Sequence, residues 1–516
     1  MEKGIKQKII VNPAFTVGKV DERLYGTFLE HIHTIVYGCL YNPSHPQADA
    51  NGFRKDVLDL LRDLGTTFIR YPGGNFVSGY HWKDGIGPRD KRIRKYDLAW
   101  EQEESNQVGI DEFCTLCRQL NIEPMLVLNL GTGTSEEALE ELEYCNYDGN
   151  TKWAVERRKN GYQNPHNVKL WGLGNEMDGI HQIEHKTPVE YARKAVETAR
   201  MMKKMDKSIK LVLCGSCSPE IDLKTYPEWD RIVLEEAYED IDYISLHRYY
   251  TYNPDTGMYA MNTDTLENIA HLPIDISNYI DTIMAASRFV QGKKRCSKSV
   301  YISFDEWGIL SSKNFEKEKY PQWTEICDDK RSSTALDAVL HGAFMITMIN
   351  KCDVVKVACE SIVIGSMIMV DPNGGCFRQT TFYPFRDVAL LGKEIVLKQS
   401  AEGPREDAGK YGELPVIQSS VIYNDEKKEI VVFAVNFSNL QKITLKLRGK
   451  AKGTIAVFTE DLTKPAGTLN VDIAADTWQD ITGMVSVSNG PHDLYFRYEG
   501  EGALDFITFT LHADNQ

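Results

Sequence analysis

The sequence of 516 residues has no apolar run of membrane-spanning length, no internal repeat and no low-complexity segment. A transmembrane helix, a solenoid and a disordered scaffold are thereby excluded as its plan. It also lacks any excess of positive charge: the formal net charge is -15, with acidic and basic residues mixed along the chain. Such a surface suits neither nucleic acid nor an anionic membrane, so neither is expected as a partner, and a neutral ligand is. The start "MEKGIKQKIIVNPAF" carries charges but no apolar core of signal-peptide length, and the expected compartment is the cytoplasm. A disulfide framework is missing too, because the cysteines are odd in number, scattered from Cys39 to Cys376, and read as reduced thiols. The pairs Cys114/Cys117 and Cys214/Cys217 have metal-like spacing. The first, however, lies in the helical pattern "DEFCTLCRQL" and the second ends the apolar strand "KLVLCGSC". They read as separate buried positions, and neither metal nor cofactor is expected.

What is present is enough apolar sequence, 42% of positions, for a full core, in a chain too long for one ordinary domain. Eight strand candidates stand at residues 23–31, 66–74, 123–131, 168–176, 210–216, 242–249, 300–308 and 353–361. Helical patterns separate them. In "FRKDVLDLLRDLG", Val57, Leu58, Leu61 and Leu64 recur at helical spacing, and "TPVEYARKAVETARMMKKM" opens with Thr187 as N-cap and Pro188 at the first helical position. Eight strand-then-helix units predict a (β/α)8 TIM barrel over residues 18–385. Beyond about residue 385, stretches such as "VIQSSVIYNDEKKEIVVFAVNFS" alternate apolar and polar residues between turn signals. They predict an antiparallel, jelly-roll-like β-sandwich of residues 386–516, joined by the strand-like residues 1–17.

Side chains at the C-terminal ends of barrel strands point into the mouth where ligands bind. Five ends carry polar candidates: Glu30; Asn75; Asn175 and Glu176; His247 and Tyr249; Asp305 and Glu306. Any one of them is as well explained as a solvated loop end or an ion-pair partner. Glu176 and Glu306, however, close the fourth and seventh strands, which face each other across a barrel. Two opposed carboxylates are what glycoside hydrolysis needs, one to protonate the leaving oxygen and one to attack the anomeric carbon. Trp100, Tyr249, Tyr250 and Trp307 beside them suit the apolar faces of a sugar. A non-catalytic sugar-binding protein would need only one of the two carboxylates.

The motifs "YGTFLEH", "RYPGGNF", "DLAWEQEESNQVGIDEF", "WGLGNEMDG", "SLHRYY", "SFDEWG" and "RQTTFYPF", in this order from about residue 20 to 390, resemble glycoside hydrolase family 51, the retaining α-L-arabinofuranosidases of clan A. The resemblance implies Glu176 as acid/base, Glu306 as nucleophile and Tyr249 as the phenol that orients it. It implies Asn175 as the amide on the sugar 2-hydroxyl, Glu30 and Asn75 on the furanose hydroxyls, Trp100 as a subsite wall and His247 as a neighbour of the acid/base; Trp307 is counted with the substrate-binding set. Carboxyl groups about 5 Å apart would leave Glu306 to attack directly, with its charge raising the pKa of Glu176. An arabinofuranosyl oligosaccharide as substrate and a homo-oligomer are implied as well. Clan relatives acting on β-D-galactofuranosides, β-D-xylosides or β-glucans are the alternatives.

Three stretches depart from the family. Ser361 and Ile364 stand where a Gln and an Asn are usual after strand eight, which predicts a lost sugar contact. The segment "ILSSKNFEKEKYPQWTEICDDK" matches poorly, and its Trp323 is either a lid aromatic or a packed loop residue. Residues 453–512 resemble the latter half of a family 6 carbohydrate-binding module, which is expected to complete the accessory sheet rather than to bind sugar.

Overall fold

The computed structural model describes residues 7–219, 225–253, 258–261, 264–266, 272–311, 333, 335–407, 412–436, 442–459, 462–463, 465–474, 476–485 and 492–512. Trp323 lies outside them.

Eight parallel strands close into a barrel: β1 (Gly26–Phe28), β2 (Phe68–Tyr71), β3 (Glu123–Val127), β4 (Leu170–Leu173), β5 (Lys210–Cys214), β6 (Tyr243–Asn253), β7 (Tyr301–Ser311) and β8 (Val355–Glu360). Each is hydrogen-bonded to the next, and β8 returns to β1 through Cys359 and Gly26. Every strand overlaps its sequence candidate. Buried on both faces, these strands read as continuous apolar runs; all four residues of β4, "LWGL", are inaccessible.

The intervening helices follow their local signals. Helix Lys55–Leu64 buries Val57, Leu58, Leu61 and Leu64 and stops at Gly65, whose φ of +75° is strained for any residue with a Cβ. Helix Pro188–Met205 begins at Thr187, whose hydroxyl accepts from the Glu190 amide while the Glu190 side chain returns to the Thr187 amide. Such a cap contributes about 1 kcal/mol. Among the described residues the cysteines are free, with Cys114 and Cys117 buried on helix Ile110–Leu120.

Among the described residues the remaining sequence forms two larger antiparallel sheets and the small hairpin Arg405–Asp407 with Glu413–Pro415. One has the order Lys8–Lys19, Ile395–Glu402, Ile417–Asn424, Glu429–Asn436, His492–Asp493. In the other, Lys442–Phe458 pairs along its whole length with Tyr495–His512, and also with Gly467–Ile473 and Gln479–Met484. The five-stranded sheet has apolar residues on both faces, as its period of two allows. Val396, Ile422, Phe433 and Val435 join the barrel's core, where the sheet meets helix Ala335–Ile349. Ile9, Leu397, Val421 and Ala434 instead pack with Leu445, Val457, Leu469 and Phe509 of the second sheet.

Candidate active site

A bulge in β7 prepares the mouth of the barrel. Ser303 pairs with Ser245 and Glu306 with His247 on β6, while Phe304 pairs with Ala358 and Trp307 with Glu360 on β8. Three steps on β7 therefore match two on each neighbour. The extra residue lets adjacent Asp305 and Glu306, which a regular strand would send to opposite faces, turn toward one guanidinium. Arg70, at the end of β2 and fully buried, places Nε 3.2 Å from Asp305 Oδ2 and donates through Nη1 to Glu306 Oε1 at 2.8 Å.

The same guanidinium donates through Nη2 to Asn175 Oδ1 at 2.6 Å. This contact fixes which way the amide faces. Asn175 Nδ2 is left buried with no hydrogen-bond partner, a donor whose desolvation costs about 1–3 kcal/mol until something accepts from it. Gly74 keeps the space beside it open: a Cβ there would lie 3.1 Å from Glu306 Oε1 and 3.4 Å from Asn175 Nδ2.

Glu306 Oε2 accepts from the Tyr249 hydroxyl at 2.8 Å. His247 stands between the two carboxylates, with Nδ1 2.8 Å from Glu176 Oε1 and 3.7 Å from Glu306 Oε2. Its Nε2 is 3.1 Å from Ser245 Oγ, which donates to Asp305. One oxygen of Glu176, one oxygen of Glu306 and a ring nitrogen of His247 all lie within 4.8 Å of one another. That spacing could hold a metal ion, but the Arg70 charge on Glu306 opposes a second cation there. The other oxygen of Glu176 faces His181 Nε2 at 2.6 Å.

On the other side of Gly74, Glu30 Oε1 accepts from the Gly74 and Phe76 amides, each at 3.0 Å, and from Trp100 Nε1 at 3.1 Å. Asn75, half-buried, begins the short helix Asn75–Gly79 next to them. Ser361 lies beside the Tyr249 phenol; Ile364 is wholly buried.

Two of the expected aromatics are not at the mouth. Trp307 is fully buried and lies against His341, ring centroids 4.6 Å apart, and Phe344, both on helix Ala335–Ile349. Beyond the bulge the alternation of β7 resumes and turns it away from Glu306. Tyr250 likewise faces outward and donates to Asp275 at 2.8 Å.

The electrostatics also differ from the sequence expectation. Burial raises the Glu176 pKa, but hydrogen bonds from His181 and His247, then their charges, outweigh it and hold the group below the ordinary carboxylate range. For Glu306, burial prevails over His247 and Arg70, Glu176 adds to it, and the pKa moves up. The order expected from the charge of Glu306 alone is reversed, because imidazoles touch Glu176 on both oxygens. Burial works against a charged His247, yet Glu306, Asp305 and Glu176 together push its pKa up to about 10. Burial, reinforced by Glu306 and opposed by its three donors, lifts Glu30 to about 8.

Arg70 and His181 were not among the sequence candidates. Arg70 could have been inferred, since three carboxylates at strand ends require a buried counter-charge. His181, five residues beyond Glu176, gives no periodic signal.

Comparison with known proteins identifies the family of the chain. Residues 60–271 match the alpha-L-arabinofuranosidase 1 domain and residues 305–483 the alpha-L-arabinofuranosidase C-terminal domain. An intracellular exo-α-(1→5)-L-arabinofuranosidase of Acetivibrio thermocellus is 42% identical over 450 residues, covering 85% of this chain and 87% of that protein. An exo-α-(1→6)-L-arabinofuranosidase of Bifidobacterium longum is 40% identical, covering 84% and 83%. Among solved structures, a family 51 α-L-arabinofuranosidase from Bifidobacterium longum superposes with a TM-score of 0.79 at 34% identity, covering 95% of this chain and 99% of that one. With both domain models matched in order and relatives this similar across most of the chain, the protein belongs to glycoside hydrolase family 51, the α-L-arabinofuranosidases.

Proposed function

We propose that the chain releases terminal α-L-arabinofuranosyl residues from oligosaccharides with retention of configuration, Glu306 acting as nucleophile and Glu176 as acid/base. The observation that carries this reading is the pair of carboxylate oxygens within 4.8 Å. Retaining glycosidases keep their carboxyl groups about 5–5.5 Å apart, whereas inverting enzymes leave about 6.5–9.5 Å for a water. In the first step Glu306 forms a bond to the anomeric carbon as the bond to the leaving oxygen breaks, and Glu176 supplies that oxygen with a proton. In the second, water attacks the anomeric carbon, Glu176 takes its proton and Glu306 leaves. Asn175 Nδ2, oriented by Arg70, donates to the sugar 2-hydroxyl. Tyr249 holds Glu306 in line, and Glu30, Asn75 and Trp100 bind the furanose beside Gly74.

Residues 18–385 carry the reaction in this reading, and 1–17 with 386–516 form the accessory sandwich. The relatives named for 1→5 and 1→6 linkages are almost equally similar, so both linkages belong in the substrate panel. The intracellular names of relatives support a cytoplasmic enzyme, and the family resemblance supports a homo-oligomer. The test is an aryl α-L-arabinofuranoside, with the anomer of the first-formed product read by NMR. Retention is expected; an inverted sugar would overturn the assignment of Glu306.

A further inference from the structure

His181 is half-exposed, with 44% of its side chain open to solvent, yet it is not loose. The loop after β4 folds back on itself: the Gly179 amide donates to the Glu176 carbonyl at 2.8 Å and the Gln182 amide to the Gly179 carbonyl at 3.0 Å. Gln182, buried, anchors the loop to Ser78. The imidazole lies over Gly179, where a Cβ would come within 2.4 Å of the ring. Only glycine leaves room for the ring to reach Glu176.

Both oxygens of Glu176 are therefore engaged by imidazoles, Oε1 by His247 and Oε2 by His181. A leaving-group oxygen needs one of them. His247 is buried and held by Ser245 and Asp305, whereas His181 stands at the solvent edge. We propose that His181 is a positioning residue that latches the outer oxygen of Glu176, and that the leaving group must displace it before the glycosidic bond can be protonated. The inference rests on the reading of Glu176 as the acid/base.

The latch is pH-dependent. His181 faces Glu176 and Asp178 on its own loop and Glu306 on β7, all acidic, with the His247 imidazole on the far side of Glu176. Its hydrogen bond to Glu176, opposed by burial and aided by these charges, raises its pKa above the ordinary imidazole value. Below that pKa the pair carries one proton, held on His181 while the latch is closed and left on Glu176 when the leaving group displaces the ring. Above it that proton is gone, and activity on poor leaving groups falls.

Two measurements test this. First, the His181 ring is titrated by proton NMR in the wild type and in Glu176→Gln, with His181→Gln identifying its signal. The expected result is a downward shift of about one pH unit or more in Glu176→Gln; an unchanged titration overturns the latch, whatever the protein's activity. Second, kcat/KM against pH is compared for an arabinofuranosyl disaccharide and an activated aryl arabinofuranoside. In His181→Gln and Gly179→Ala the alkaline limb with the disaccharide should move down by about one pH unit, lowering its alkaline-side kcat/KM several-fold, while the aryl substrate changes little. A uniform loss at every pH with both substrates would show a merely structural role and overturn the proposal. Failure of the acid/base reading itself shows separately, as Glu176→Ala slowing both leaving-group classes equally.

Discussion

Glu306 stands within a strand of the barrel and Glu176 on the loop that follows another, and their partners differ accordingly. Around Glu306 the groups are fixed: the guanidinium of Arg70 is wholly buried, and the phenol of Tyr249 comes from the adjoining strand. Around Glu176 they are imidazoles, titratable groups of which His247 is buried with its pKa pushed up to about 10 and His181 reaches solvent. A nucleophile has to remain ionised and in line, whereas an acid/base has to gain and lose a proton in every turnover. Permanent donors suit the first task and titratable ones the second.

The comparison is broken most severely at Glu306. Glu306→Ala should lose on the order of ten-thousand-fold or more in kcat with the fold intact, and a slow-turnover fluorinated furanoside should label this residue in the wild type. Labelling of Glu176 instead would exchange the two roles. Glu176→Ala should cost roughly a hundred- to ten-thousand-fold on substrates with poor leaving groups and far less on activated phenols. Azide should restore turnover in this variant and be trapped as the β-azide.

Arg70→Met separates the fixed wall from the titratable one. It leaves Asp305 and Glu306 buried without their counter-charge, and breaking such a contact costs about 3–5 kcal/mol. A large fall in melting temperature is expected, together with loss of the amide orientation at Asn175. An unchanged melting temperature would mean that His247 alone balances the cluster. The smallest effect is expected for Tyr249→Phe, which removes one hydrogen bond to a charged group, worth about 1.5–3 kcal/mol, and leaves the nucleophile in place. It should slow the glycosylation step by roughly ten- to a hundredfold. A loss equal to that of Glu306→Ala would give the phenol a chemical role of its own.

The barrel strands were legible because a strand buried on both faces must be a short apolar run, and the site followed from which polar residues end those runs. Two features were hidden for opposite reasons. The bulge that turns Asp305 and Glu306 the same way is a matter of pairing register, to which neighbouring strands contribute and which β7 alone does not display. For the same reason Trp307 looked like a subsite wall while it packs on the helix layer. The altered acidity of Glu176 depends on His181, which arrives through a loop turn at Gly179 rather than through any periodicity. Polar residues that end an apolar run could be read from spacing, whereas His181, which arrives through a loop turn, could not.

The five-stranded sheet has a consequence for the chain as a whole. Its two apolar faces serve different cores, Phe433 and Val435 on the barrel side and Ala434 on the other, and its edge strand is Lys8–Lys19, from the start of the chain. Neither body can open without wetting a surface that the other needs dry. Heating should therefore melt the protein in a single calorimetric transition rather than in two. Removing the first nineteen residues should lower that one transition, though they lie far in sequence from everything they hold together.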